Sequence, residues 1–385
     1  GEGDVEGEGE DSEKAAGPST STTVHIVDRR GGLPRVAGSA HAVDQEQLER
    51  QEYDDIHRIL APIPGVYVRG EDGYGLRPNI GLRGANSDRS AKVTLMEDGV
   101  LLGPAPYAAP AAYYFPVATR MVGVEVFKGP AATRHGPQTI GGAINLQTRP
   151  IPEAFDGALD LAIGRDFTRK AHGWVGARGP WWGVLIEGVH LASEGFKRLD
   201  GGGPTGFDKN ELMVKARVNS PDGLSHRAAL ELKLGYANER SSETYLGLTE
   251  EDFLADPTRR YATSAQGAMA WQRTQAELAW TAHLGPAVDL RVVGYHHFFD
   301  RSWRKLVGFV DNAYSLGDAL NRPDAGTASV YAAVLRGDID SPTRDQGLLL
   351  GTNARSYHSG GVQALAHWRA SHKKLSSELE IGLRL

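Results

Sequence analysis

The chain has 385 residues, long enough for two or three ordinary domains. Its first twenty residues hold seven acidic residues and one lysine, which account for the whole formal charge of -6, so the rest of the chain is neutral overall. The chain therefore lacks the excess of basic residues that would indicate a nucleic-acid partner. The chain has no cysteine, which excludes disulfide scaffolds, thiol catalysis and cysteine metal sites.

Residues 1–21 form an acidic Gly/Glu segment that cannot bury apolar area, so we expect a disordered leader. No signal-like apolar core follows. Either a targeting segment has been removed or the chain is a piece of something longer.

Two short helices are predicted next. Asp44 begins the first, with Gln47 placed for a capping box, and Asp54–Leu60 forms the second, which ends at the prolines and glycine of 61–65. Short strands with glycine turns follow and favour a compact α+β domain that ends at Pro150 and Pro152. The predicted strands are Val66–Val68, Asn79–Arg83, Lys92–Met96, Val122–Phe127 and Ala143–Thr148.

The window from Gly99 to Thr119 has no charge and the length of a membrane-spanning helix. It contains four prolines, each of which removes a backbone donor and clashes inside a helix. We therefore expect an extended, packed loop. The turn at Glu97-Asp98-Gly99, just before it, predicts a hairpin.

From about Gly157 onward, strands alternate apolar and polar residues, most clearly over 230–236, 212–218, 276–284 and 379–385. Short turns alternate with long polar loops, which is typical of an outer-membrane barrel. A large soluble β-sandwich would alternate equally well and stays open at this point. The aromatic residues at predicted strand ends suit an interfacial girdle or a core: Trp174, Trp181, Trp182, Tyr236, Trp280 and Trp303.

Five stretches of the first half occur in order: 59–68 (ILAPIPGVYV), 79–84 (NIGLRG), 93–100 (VTLMEDGV), 124–130 (VEVFKGP) and 141–146 (GGAINL). Together they resemble the plug domain of TonB-dependent outer-membrane receptors. The run 83–116 is most similar to the ferric-citrate-type branch. The resemblance covers 22–152, and the remainder is similar only to a generic barrel.

The resemblance implies an α+β plug domain at 22–152 inside a transmembrane barrel of about 22 antiparallel strands. It implies a monomer in the bacterial outer membrane that binds a ferric chelate, such as a siderophore or ferric citrate, as cargo rather than as a cofactor. It also implies import powered by TonB, the inner-membrane energy transducer. We count nine or ten strands in 153–385, so we expect this part to be the N-terminal portion of the barrel in a truncated receptor.

The glycine-rich stretch 127–146 lacks the Gly-Lys-Ser/Thr ending of a phosphate loop and is followed by no helical pattern. Its glycines better serve tight turns that fold strands inside a confined lumen. These are Gly129, Gly136, Gly141 and Gly142.

The resemblance also assigns roles to single residues. Arg83 and Lys128 match positions that lock the plug to barrel glutamates, and those glutamates need not lie in this chain. The predicted TonB box is Thr22, Thr23, Val24, His25, Ile26 and Val27, with a first plug strand as the alternative. The predicted ligand contacts are Asn86, Ser87, Asp88, Arg89, Tyr107, Tyr113 and Tyr114, where Arg89 suits the carboxylate of an anionic chelate.

No metal site is expected at His296-His297, because adjacent strand residues face opposite sides. No nucleophile elbow, zinc helix motif or carboxylate pair indicates an enzyme. The alternative to a transporter is a surface or secreted β-rich module that binds ligand without transporting it.

Overall fold

Two sheets of opposite character organise the chain. The computed structural model describes residues 38–106, 110–221, 226–311, 314–372 and 375–385. A five-stranded sheet belongs to the N-terminal domain, and a nine-stranded sheet, here called the wall, follows it. Among the described residues, no helix is long and apolar enough to span a membrane.

The described part of the N-terminal domain contains two α-helices and seven short strands. In its main sheet the strand order is β1-β6-β7-β4-β5, with β4 and β7 parallel and the other pairs antiparallel, while β2 and β3 form a separate hairpin. The elements are β1 (Ser39–Val43), α1 (Gln45–Gln51), α2 (Ile56–Leu60), β2 (Val66–Arg69), β3 (Asn79–Leu82), β4 (Val93–Glu97), β5 (Val100–Leu101), β6 (Met121–Lys128) and β7 (Gly142–Thr148).

The helix starts follow from capping. The Asp44 carboxylate accepts from Gln47 N at 2.9 Å, and the Gln47 side chain accepts from Asp44 N, which confirms the predicted capping box. The second helix begins at Ile56 rather than at Asp54, because the carboxylate of Asp55 caps it. The predicted hairpin at 97–99 is confirmed by the antiparallel pairing of β4 with β5.

The wall is a meander in which every strand pairs antiparallel with its neighbours, in the order β18-β17-β16-β15-β13-β12-β10-β9-β8. Its strands are β8 (Asp156–Ile163), β9 (Arg169–Arg178), β10 (Trp182–Ser193), β12 (Phe207–Asn219), β13 (His226–Ser242), β15 (Ala268–Leu284), β16 (Val288–Phe309), β17 (Leu348–His372) and β18 (Leu375–Arg384). The loops between them hold β11 (Arg198–Leu199), α3 (Glu250–Ala255), β14 (Arg259–Arg260), α4 (Leu316–Asn321) and α5 (Ala328–Arg336).

All long connections of the wall leave from one end, here called the loop end. They span 194–206, 243–267 and 310–347, whereas the opposite end, here called the turn end, has short connections such as 179–181 and 285–287. This is the asymmetry that the sequence predicts for an outer-membrane barrel.

The wall turns its apolar side chains outward. On β13, Leu232 and Leu234 are 37% and 43% exposed, whereas Lys233 between them is 4% exposed. A soluble sandwich buries its apolar rows instead, so the sandwich alternative is wrong. Trp181, Tyr236 and Trp280 lie on the exposed side, while Trp303 is buried on the inner side as core.

The N-terminal domain packs against the inner side of the wall. Its main apolar cluster combines Ile80 and Val126 with Trp271, Phe299 and Trp303 of the wall. The domain therefore shares one core with the strands that surround it.

Close packing explains the glycine-rich stretch. Gly142 has a φ of 154°, and a Cβ there would lie 2.4 Å from the carbonyl oxygen of Phe127 and 2.5 Å from Leu82 Cδ1. Gly129 has a φ of 65°, in the left-handed region that favours glycine. The interpretation as tight turns rather than a phosphate cradle fits these positions.

Candidate ligand-binding site

The polar turn of the N-terminal domain reaches the loop end of the wall through Arg89. Its guanidinium donates to both carboxylate oxygens of Glu71, at 2.7 and 2.6 Å, and to the hydroxyl of Tyr245 at 2.5 Å. Burial raises the pKa of Glu71, but hydrogen bonds from Tyr245 and Asn79 and the charge of Arg89 outweigh it, so the net shift is downward. Arg89, which we predicted to pair with a ligand carboxylate, thus pairs with a carboxylate of the protein.

Strand β16 adds a row of cations and aromatic rings beside this pair. Arg301, Trp303 and Lys305 alternate with outward residues and therefore share the inner side. Trp303 has three cations near its ring: Lys305 Nζ at 4.6 Å, and the guanidinium carbons of Arg89 and Arg301 at 5.5 and 5.9 Å from the centroid. Contacts of this kind attract a cation to the face of an aromatic ring.

Arg301 is the most unusual member. It is 1% exposed and lies over the ring of Tyr113, with 3.9 Å from the guanidinium carbon to the centroid. Its Nε and Nη1 are buried and have no hydrogen-bond partner among the described residues. A buried guanidinium with unused donors is costly unless an acceptor reaches it.

We call Glu71, Arg89, Tyr113, Tyr245, Arg301, Trp303 and Lys305 the outer cluster. It combines three cations with one carboxylate. Two cavities adjoin it, of about 180 Å³ and about 400 Å³, and Tyr245 lines both. Of the outer cluster, Glu71 and Tyr245 line the smaller cavity, and Tyr245 and Lys305 line the larger one, so the open space of the site lies beside these residues.

The predicted ligand contacts divide into three groups. Arg89 and Tyr113 belong to the outer cluster. Asn86 and Asp88 are exposed, and Asn86 accepts from Asp88 N at 2.9 Å, which shapes the turn. The remaining predicted contacts are Ser87, which is buried, Tyr114, which is buried against Trp271, and Tyr107, which lies outside the described residues.

Sequence reasoning missed Arg301, Trp303 and Lys305. The alternation of β16 is visible in the sequence. It places two cations and an aromatic ring in one row on the inner side of the strand, and this row was the available signal for a binding site. These residues lie beside Arg89 and Tyr113 only because distant segments pack together. A strand pattern carries no information about such contacts.

The predicted lock residues have no carboxylate partner within the part of the chain that the structure describes. Arg83 is exposed, and the Lys128 ammonium donates to the carbonyl oxygen of Pro64 at 2.6 Å. Burial lowers the pKa of Lys128, and the neighbouring charge of Arg83 lowers it further. Their pairing with glutamates stays a prediction.

Two other arginines bind the N-terminal domain to the wall. Arg77, 1% exposed, contacts Glu239 at 2.8 Å and Glu243 at 3.0 Å. Arg120 contacts Glu211 at 2.5 Å and also Glu97 of its own domain at 2.8 Å. Sequence reasoning missed both arginines, although inward glutamates on β12 and β13 were a signal for them.

The hairpin turn after β4 is a third attachment. Lys233 of the wall lies 2.7 Å from the carboxylates of both Glu97 and Asp98. Burial raises the pKa of both carboxyls. The charges of Arg120 and Lys233 outweigh burial at Glu97, and those of Lys233 and Lys215 outweigh it at Asp98. Both pKa values therefore lie well below their usual range. Both carboxylates are therefore charged and bind the domain to the wall at neutral pH.

Nothing in the described residues forms a group of three or more His, Cys, Asp or Glu side chains placed to hold a metal ion. His297 is buried and His296 is exposed, which confirms that the two face opposite sides. The predicted TonB box at 22–27 lies outside the described residues.

Comparison with known proteins agrees with this architecture. Residues 33–143 match the family model "TonB-dependent Receptor Plug Domain". The vitamin B12 transporter BtuB of Vibrio vulnificus is 29% identical over 131 residues, which is 34% of this chain and 21% of BtuB.

Solved structures match over most of the chain. The ferric citrate transporter FecA superposes with a TM-score of 0.69 and 20% identity, covering 91% of this chain and 47% of FecA. The ferric yersiniabactin uptake receptor FyuA of Yersinia pestis gives 0.65 and 14%, covering 88% and 47%. The ferric-catecholate import receptor Fiu of E. coli K12 gives 0.62 and 12%, covering 91% and 49%.

The family match and the fold concern different lengths of the chain. Residues 33–143 match the plug-domain model of TonB-dependent receptors, and the described chain has the fold of a plug domain with part of the barrel that surrounds it. It spans about half the length of these solved receptors. The N-terminal domain is called the plug from here on, and the proteins that the chain matches are transporters and receptors rather than enzymes.

Proposed function

We propose that the complete protein is an outer-membrane receptor that binds an anionic ferric chelate at the outer cluster and imports it. The observation that carries this proposal is Arg301, a buried cation with two unused donor nitrogens beside Tyr113 and Trp303. An anion bound there accepts charge-assisted hydrogen bonds from the guanidinium, which is buried away from water. The exposed apolar rows of the wall support an outer-membrane location.

The ligand class follows from charge and surface. Arg89 is already paired with Glu71, whereas no ion pair of Arg301 or Lys305 is found among the described residues. A chelate with carboxylate or catecholate oxygens supplies the negative charge, and Trp303 supplies apolar contact. BtuB is described as a vitamin B12 transporter, so a corrinoid is a comparison ligand for the experiment.

Transport requires energy because the plug fills the space beside the wall. We propose that TonB supplies it by pairing with residues 22–27 as an added strand. The segment is β-prone and precedes the folded plug. The proposal agrees with the family of the plug domain.

The experiment uses the complete receptor in cells that lack other receptors for the chelates tested. Binding and uptake of radiolabelled iron are measured for ferric citrate and ferric siderophores, with labelled cobalamin as the comparison. Arg301→Gln should weaken binding of the anionic chelate about tenfold or more, because one charge-assisted contact is lost. The matched control is Arg304→Gln, on the same strand but exposed on the outer side.

Deletion of 22–27 separates binding from transport. We expect the deletion to abolish uptake and to leave binding at the cell surface unchanged. Uptake that survives the deletion contradicts the TonB proposal and favours a receptor that binds without energised transport. Equal binding by wild type and Arg301→Gln contradicts the proposed site.

A further inference from the structure

A second cationic cavity lies at the turn end, between the wall and the end of the plug. Its volume is about 50 Å³, enough for a few waters or one small oxyanion group. Pro150 and Ile151, which lead from the plug to β8, form one side. The charged lining residues are Arg178, Lys215, Arg217, Lys233, Arg291, Asp98, Glu231 and Glu277.

Arg291 is the cation of this cavity that the described protein does not neutralise. It stands on β16 in the same inward row as Val293, Tyr295 and His297. Its Nε is buried without a hydrogen-bond partner among the described residues, and no ion pair is found for it there. A donor in this position favours an acceptor from outside the described protein.

The carboxylates of the cavity lie beside other cations of the same lining rather than beside Arg291. Asp98 is 2.7 Å from Lys233, and Glu231 is 3.7 Å from Arg217. Glu277 is 3.8 Å from Lys233. Arg178 pairs with Glu153 at 3.1 Å, Lys233 also contacts Glu97 at 2.7 Å, and Lys215 lies 3.8 Å from Asp98. Arg291 is thus the lining cation for which no carboxylate partner is found among the described residues.

We propose that this cavity binds one oxyanion group, a carboxylate or a phosphate, through Arg291. The guanidinium fork suits an oxyanion because it donates two parallel hydrogen bonds. The volume fits one such group and excludes a whole chelate. Two sources supply this chemistry: a carboxylate of the cargo on its way past the plug, which rests on the proposed function, or free inorganic phosphate, which does not.

The first test is crystallographic. Crystals of the complete receptor are soaked in selenate, and the anomalous map is calculated at the cavity. We expect a peak beside Arg291 that Arg291→Gln abolishes, that Arg291→Lys weakens and that the exposed control Arg304→Gln leaves unchanged. An empty cavity in the wild type, a peak that survives Arg291→Gln, or a protein carboxylate on Arg291 Nε overturns the proposal.

The second test separates the two sources in intact cells. If the group belongs to the cargo, Arg291→Gln should slow uptake of the anionic chelate about tenfold while its binding at the surface stays unchanged. If the group is free phosphate, uptake stays at the wild-type rate and phosphate displaces selenate from the crystal. If the wild-type receptor imports no chelate, the proposed function is contradicted. The crystallographic test still decides whether the cavity binds an oxyanion.

Discussion

The plug and the wall use burial in opposite ways. In the plug, β4 and β7 are buried at every residue, whether apolar or polar. In the wall, β13 exposes Leu232 and Leu234 and buries Lys233 and Glu239. The plug is therefore organised like the interior of a globular domain, whereas the wall is suited to an apolar exterior and a polar lumen.

The interface between the two regions has to combine both kinds of packing. Apolar residues of the plug meet aromatic rings of the wall, and the charges of the lumen are paired across the same interface. Replacing a buried ion pair by apolar residues is often neutral, but removing one partner leaves an uncompensated charge. Single substitutions in the plug, in the wall and at the interface therefore have different expected costs.

Arg120→Met should have the largest effect. It leaves Glu97 and Glu211 without their arginine in a buried site, which costs about 3–5 kcal/mol of stability. The measurement is the free energy of unfolding of the complete receptor in detergent. The control is Arg50→Met, whose partner Glu46 is exposed, so its change should be below ~0.5 kcal/mol. Equal effects of the two variants contradict a buried attachment between plug and wall.

Leu232→Arg tests the outer side of the wall. A charge on the lipid-facing side of a barrel costs about 2–4 kcal/mol at mid-depth and about 0–1 kcal/mol near its edges. Gln272→Arg, exposed on β15 near the loop end, is the control and should be nearly neutral. Stability in lipid vesicles is the measurement. A tolerated Leu232→Arg shows that this side does not face lipid.

His135 gives the plug a pH dependence. Burial lowers the pKa of His135 to about 4, with the charges of Arg134 and Arg384 adding to the shift. The unfolded chain takes up this proton near pH 6.5, so stability should fall by about 2–3 kcal/mol as the pH drops from 6.5 to 4.

The measurement for this prediction is the melting temperature of the receptor between pH 7 and pH 4. His135→Leu keeps the contact with the ring of Phe127 apolar and removes the titration. Its profile should be flatter than that of wild type over this window. Parallel profiles of the two proteins contradict a buried, neutral His135.

Gly142→Ala should cost about 1–3 kcal/mol, because it combines a φ of 154° with a Cβ contact of 2.4 Å to backbone. Gly294→Ala in the wall is the matched control, since no atom lies within 4 Å of the added Cβ. Unfolding of the two variants in denaturant measures the difference. If Gly142→Ala and Gly294→Ala lower the free energy of unfolding equally, space around Gly142 in the plug is not limiting.

Much of the fold was predictable because it is local. The Asp44 capping box, the hairpin at 97–99 and the alternation of β13 depend on residues within a few positions of one another. The predicted start of the second helix at Asp54 was wrong by two residues, because Asp55 caps the helix and its first helical residue is Ile56.

The candidate site was less predictable. Arg89, Tyr113 and Tyr114 were all predicted as ligand contacts from the resemblance. Arg89 and Tyr113 belong to the outer cluster, whereas Tyr114 is buried against Trp271. Adjacent residues on one loop thus point into different environments. Nothing in the local sequence separates them, since the partners lie on β15 and β16.

The order of the two regions, their strand periodicity and the positions of the glycine turns can be read from the chain, because these features depend on neighbouring residues. Which side of the wall is the interior, and which arginines attach the plug, becomes visible only in three dimensions. Arg77 and Arg120 meet glutamates that are 162 and 91 residues away in the chain. Such pairs form because folding removes both charges from water at the same place, and no local pattern contains that information.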